Sequence, residues 1–227
     1  MIVIEPSYQI IPHFKYEDAL KIIEDMGRIS YASEDKITED LSSANNFVNK
    51  ILHNEHFSVL EHACISIKII TDRGISHELV RHRLTSPIEQ STRYCNFSTK
   101  GNGEISFVNI AGSIPYDSKM NKLSDEVKAK FIGEWTEQML NAEKAYMSMI
   151  DSGVTPQMAR SVLPNSLATR IGITANIREW RHILKLRASG TTGAPHPSML
   201  QIMIPILLDL QKIYPIFFGD ITPYEVR

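Results

Sequence analysis

The residues with the densest chemistry lie between Arg81 and Tyr94, in the run Arg-His-Arg-Leu-Thr-Ser-Pro-Ile-Glu-Gln-Ser-Thr-Arg-Tyr. Arginines, a histidine, a glutamate and several hydroxyls within fourteen residues suit the binding of a large anion. Guanidinium forks match phosphate oxygens in pairs, and hydroxyls fill the remaining acceptor sites. A second candidate is Arg187. At 100° per residue Asn176, Trp180, Ile183, Leu184 and Arg187 share one broad helix face, so a cation sits on an apolar stripe. Such a guanidinium either meets a carboxylate, a carbonyl array or an anionic ligand, or snorkels at the helix C-terminus where the dipole favours it.

Other chemistries are weaker. His56, His62, His77 and His82 are spaced by six and five residues within the two pairs, not by the four that place two ligands on one helix face, and no cysteine pair accompanies them. No metal is expected. Ser91 has the residue type of a nucleophile but no evident partner base, so it is assigned to binding. Cys95, just after the run, reads as a small packed residue.

Several elements must position these groups. Ala19, Leu20, Ile23 and Met26 mark a helix over 16–29, and Leu41, Ala44, Val48 and Ile51 mark another, with Thr38 as N-cap and an end before His53. Both are expected to pack on a sheet. Residues 63–70 alternate as a strand closed by Asp72-Arg73-Gly74, 75–83 read as a short helix, and Pro87 keeps 86–93 out of a helix, leaving Ser91 and Arg93 in a loop. Ser124 caps a long helix running through Trp135, Tyr146 and Met149 to a stop at Gly153. A short helix holds Arg160, a strand covers 166–175, and helices follow at 176–188 and 197–213, the last with Pro205 as an expected kink. Gly190 to Gly193 form a loop between them.

Composition bounds the rest. The 227 residues, 43% hydrophobic and 22% charged, can bury one sizeable core. A formal charge of -2 argues against a general nucleic-acid binder, since phosphate-backbone affinity needs a broad cationic excess. Two cysteines, Cys64 and Cys95, fit a reducing compartment. A polar turn by Glu5 without a basic flank speaks against a secretory signal, and no apolar run is long enough for a membrane span. The expectation is a cytoplasmic protein with neither membrane nor nucleic acid as partner.

The Arg81-His82-Arg83 triplet, followed by seven residues and then Ser91, resembles the signature of the flavin-dependent thymidylate synthases. Three further blocks resemble that family in the same order: His56-Phe57-Ser58-Val59-Leu60-Glu61-His62 before the first strand, Arg160-Ser161-Val162-Leu163-Pro164, and Asn176-Ile177-Arg178 with Leu186-Arg187-Ala188. The resemblance implies an α+β fold, one mixed α/β domain over 1–227 with a central sheet flanked by long helices. It implies an FAD-dependent methyltransferase making dTMP from dUMP, with methylenetetrahydrofolate as carbon donor and NADPH as reductant. No glycine fingerprint for a dinucleotide is present, so the arginine motif would hold the flavin.

By the same resemblance Arg187 is the catalytic residue, promoting ionisation of the uracil at N3. The positions implied for dUMP are Glu78, Leu79, Val80, Arg81, Glu89, Gln90, Ser91, Thr92, Arg93, Arg160 and Arg187. Those implied for FAD are Ser58, Arg81, His82, Arg83, Glu89, Asn176, Ile177, Arg178 and His182. The family also implies a homotetramer with active sites shared between subunits. The chain departs from many members at Ile88, where asparagine is common, at Glu78, where glutamine is, and at His182, where some have asparagine. Its Gly190–Gly193 loop is longer than usual. These departures keep an alternative in view: a flavin- and nucleotide-binding relative acting on another pyrimidine nucleotide or one-carbon donor.

Overall fold

The computed structural model describes residues 1–100 and 103–226. The order is β1 (Ile2–Ile4), β2 (Ser7–Pro12), α1 (Tyr16–Ile29), α2 (Ser42–His53), β3 (Cys64–Asp72), α3 (Arg73–Leu79), β4 (Ser86–Glu89), β5 (Ser106–Val108), α4 (Asp125–Asp151), α5 (Pro156–Ala159), β6 (Ala168–Asn176), α6 (Ile177–Arg187), α7 (Pro197–Ile213) and α8 (Pro215–Phe218). Helix and sheet are mixed, as expected. Among the described residues no helix is long and apolar enough to cross a membrane.

The main sheet runs β2-β3-β6-β4 with every neighbouring pair antiparallel. Its centre follows from strand periodicity. Ile65, Ile67 and Ile69 on β3 face Ala175, Ile173 and Ile171 on β6 across the ladder, and all six are buried. That face shares one apolar cluster with α1, α2, α6 and α7. Trp180 on α6 is fully buried and donates its indole N–H to the Ile65 carbonyl at 2.9 Å, tying α6 to the central strand. Of the expected α7 stripe, Met199, Ile202, Met203, Ile206, Leu207 and Leu210 are buried, whereas Ile213 at the last turn is 38% exposed. Pro205 lies inside this continuous helix.

Several boundaries differ from the sequence expectations. α2 starts at Ser42, not near Thr38, because Leu41 sits at φ +64° and breaks the chain direction. The Thr38 hydroxyl still accepts from the Ser43 amide at 3.2 Å, outside the helix. α3 is displaced to Arg73–Leu79 because Asp72 ends β3 and caps the helix, its carboxylate accepting from the Ile75 amide at 2.8 Å. Residues 86–89, expected as loop, form β4. Pro87 is tolerated there because β4 is an edge strand, where a missing amide hydrogen removes no necessary ladder bond. β1, β2 and β5 were not anticipated: the first and last are only three residues long and β2 alternates weakly at a sheet edge.

A second cluster joins α4 to the β1–β5 pair through Phe97, Ile105, Phe107, Met139, Tyr146 and Leu167. Only Met139 and Tyr146 of the α4 stripe are buried. Val127 is 46% exposed, and Phe131 and Trp135 are half-buried.

Candidate active site

Arg187 is the last residue of α6 and reaches across to α3. Its Nη1 donates to Glu78 Oε2 at 2.7 Å and its Nε donates to His82 Nε2 at 3.2 Å. Of the two sequence readings, the carboxylate partner is therefore the one realised. Because Arg187 Nε is a donor, His82 Nε2 must be the bare ring nitrogen, and a neutral ring then carries its proton on Nδ1. His82 is only 7% exposed. Burial first, then the Arg187 and His182 charges, hold its pKa down to about 4.

That depression has a consequence for stability. The unfolded chain takes up a proton on His82 near pH 6.5, whereas the folded chain resists it until about pH 4. Stability from this group is complete above the unfolded value and is lost as pH falls through the window, by about 3 kcal/mol at ~1.36 kcal/mol per unit. Urea midpoints measured between pH 7 and 4 should fall accordingly, and His82→Gln should flatten the slope. An identical slope in the variant would contradict the assignment.

Glu89 is held from inside the sheet. Its Oε1 accepts from Ser76 at 2.6 Å and Thr169 at 3.0 Å and lies 3.4 Å from Arg73 Nη1. These donors bias one carboxylate oxygen and orient the other. Ile88, the next residue back, points to the opposite sheet face, is 78% exposed and lies over Gly172, where an added Cβ would come within 3.3 Å of it. It does not share a face with Glu89.

The Gln90 amide extends the ladder by donating to Arg170 O at 2.9 Å, after which the chain turns. Ser91 Oγ accepts from the Arg93 amide at 3.2 Å and its carbonyl accepts from Cys95. No base hydrogen-bonds to Ser91 among the described residues. Arg93 stacks over Tyr94, 5.4 Å from the ring centroid. Thr92 is buried and accepts from Arg160 Nη1 at 2.8 Å, which joins the signature to the downstream block.

The structure therefore brings the expected nucleotide residues together in groups. Arg187, Glu78 and His82 form one, Glu89 another, Thr92 and Arg160 a third, and among the described residues no hydrogen bond joins the first to the third. Arg81 and Arg83 are exposed, and their side chains make no hydrogen bond or ion pair among the described residues. Leu79 and Ile177 are buried in the core, so only their backbone atoms could face a ligand, while Val80 is half-buried.

On the flavin side, Asn176 caps α6 by accepting from the Glu179 amide at 2.8 Å, and Arg178 pairs with Glu61 at 2.5 Å. Ser58 and His182 are exposed. Two unpaired guanidinium groups, an arginine on an exposed pair and an imidazole make a donor set that fits a cofactor carrying two phosphates. Sequence reasoning missed Arg73, Ser76, Thr169 and Glu179. Hydroxyls scattered among apolar residues give no signal, but Asn176 followed three residues later by Glu179 has the spacing of a capping box and could have drawn notice.

Comparison with known proteins finds relatives over most of the chain. The family described as thymidylate synthase complementing protein matches residues 12–216. A flavin-dependent thymidylate synthase of Geobacter sulfurreducens is 35% identical over 201 residues, covering 86% of this chain and 79% of the relative. Its namesake from Mycobacterium tuberculosis is 29% identical over 204 residues, covering 88% of this chain and 78% of the relative. Among solved structures, a UMP/dUMP methylase, PolB from Streptomyces cacaoi, bound with 5-Br dUMP, superposes with TM-score 0.77 over 96% of both chains at 20% identity, a likeness of fold. The match from residue 12 to 216, set beside the Arg81–Ser91 spacing and the seating of Arg187, shows that this chain belongs to the flavin-dependent thymidylate synthase family.

Proposed function

We propose that the protein converts dUMP to dTMP, taking the one-carbon unit from methylenetetrahydrofolate and two electrons from NADPH, and releasing tetrahydrofolate and NADP⁺. The observation that carries this reading is Arg187, fixed at the end of α6 by Glu78 and His82 with about a quarter of its side chain open to solvent. A guanidinium held on two sides is pre-aimed at charge developing on a uracil edge. FAD, when bound, would supply the redox relay between NADPH and the pyrimidine.

The chain's own residues position the nucleotide. Arg81, Ser91, Thr92, Arg93 and Arg160 offer charge-assisted and hydroxyl donors for the phosphate. Glu78, Glu89 and Gln90 meet the sugar and base, with Leu79 and Val80 contributing backbone. Ser58, Arg81, His82, Arg83, Glu89, Asn176, Arg178, His182 and the Ile177 backbone hold the flavin. Incubation with dUMP or with dCMP, each with folate and NADPH, tests the substrate: methylated product from dUMP alone supports the reading, and product from dCMP alone overturns it. The orientation of Ile88 away from Glu89 removes one reason to expect a different pyrimidine.

We also assign the protein to the cytoplasm as a homotetramer, with 1–227 as one domain. Two features support shared sites: among the described residues no hydrogen bond joins the Arg187 group to the Thr92–Arg160 pair, and the apolar stripe on α4 is partly exposed. Arg187→Ala and Arg160→Ala should each be inactive alone, yet regain activity when co-expressed. Random pairing leaves about a quarter of shared sites intact. No recovery in mixed assemblies would place each site within one chain.

A further inference from the structure

Glu179 lies in the first turn of α6, immediately before the buried Trp180, and is itself only 6% exposed. Its backbone amide is used by the Asn176 cap. Its carboxylate receives no hydrogen bond among the described residues, and burial pushes its pKa up, against the opposing charges of His182 and Arg178. A buried carboxylate without donors is costly and needs an oriented dipole or a charge nearby. The group it faces is His82: Glu179 Oε1 is 3.9 Å from His82 Nδ1. Since His82 is neutral in the folded protein, this is not an ion pair. It is a carboxylate set against one edge of an imidazole whose other edge meets a guanidinium.

The two edges ask for the same tautomer. The anion favours a proton on Nδ1, and the Arg187 Nε–H favours a bare Nε2. The opposite tautomer would turn two N–H groups toward each other across the 3.2 Å contact and displace Arg187. His182 stands edge-on to the same ring, with centroids 5.9 Å apart, and limits its rotation. From this line of groups, Glu179, His82, Arg187 and Glu78, we infer that Glu179 is a positioning residue that fixes the His82 tautomer and thereby the aim of Arg187. The consequence for turnover rests on the role proposed for Arg187; the effect on the tautomer does not.

The test is ¹⁵N NMR of histidine-labelled, flavin-loaded protein at pH 7.5, with the His82 signals assigned by their loss in His82→Gln. In the wild type, His82 should be neutral with the proton on Nδ1. In Glu179→Gln, whose amide can donate to Nδ1, the proton should move to Nε2. The turnover number for dTMP formation should fall about tenfold, the lower end of losses seen when an orienting partner is removed. Glu179→Asp, which keeps the charge, should retain the wild-type tautomer and recover part of that loss, and the wild-type tautomer by itself decides if the glutamine variant folds poorly. Two results overturn the inference: a wild-type His82 protonated on Nε2, or a tautomer left unchanged by Glu179→Gln. A tautomer that moves without any change in turnover overturns the step from His82 to Arg187. If the wild type makes no dTMP, the functional reading fails while the NMR result still decides what Glu179 does.

Discussion

Arg187→Ala is expected to lower the turnover number for dTMP formation by about a hundredfold to a thousandfold, the cost of removing one pre-organised donor to developing charge. Arg187 hydrogen-bonds both Glu78 and His82, with donors at 2.7 and 3.2 Å. Alanine removes the cation and both fixing bonds together. Flavin should remain bound, because no residue assigned to the phosphates depends on Arg187. Arg187→Lys should recover little, since a single ammonium cannot reproduce two donors held in one plane. Turnover and flavin absorbance measured on the same preparation check both halves. Near wild-type turnover in the alanine variant would remove Arg187 from the chemistry.

Arg81→Ala is expected to leave the purified protein nearly colourless. Arg81 is exposed at the start of the signature, and its guanidinium has no protein acceptor among the described residues, so its charge is available to a ligand. One or two charge-assisted bonds to a phosphate contribute about 1.5–3 kcal/mol each, which is roughly 10- to 150-fold in affinity per bond. The loss should be read as the flavin-to-protein absorbance ratio and should be partly reversed by added FAD. A full complement of flavin in the variant would show that the cofactor is held elsewhere. His82→Gln should weaken flavin binding less than Arg81→Ala does and should add effects on stability and turnover, because the His82 ring is buried against Arg187.

Periodicity made the central elements legible. The isoleucines of β3, the α7 stripe and the α6 face with Trp180 could be assigned because burial on one side of a regular element leaves a fixed interval in the sequence. β4 was not, because Pro87 argues against a strand unless the strand is known to lie at an edge, and edge position is a property of the sheet as a whole. The start of α2 was lost for a similar reason: Thr38 has the chemistry of a cap, but the left-handed Leu41 decides where the helix begins.

The site divides along the same line. The anion-binding character of Arg81–Arg93 was legible from residue types, and Arg187 from a charge on an apolar stripe. The partners that hold them were not: Ser76, Thr169 and Arg73 around Glu89 are brought together by the pairing of β4 with β6 and the placement of α3. Glu179 meets His82 only because α6 begins where β6 ends, beside the turn that follows α3. Spacing along the chain reports local faces, whereas these contacts depend on which strands become neighbours.

Purified protein should be given dUMP, methylenetetrahydrofolate, NADPH and FAD, with each component omitted in turn, and dTMP followed chromatographically. Product that requires all four components is the expected result. Absence of dTMP from the complete mixture, with dUMP and flavin shown to be bound, would contradict thymidylate synthesis and leave the site to a different nucleotide or carbon donor.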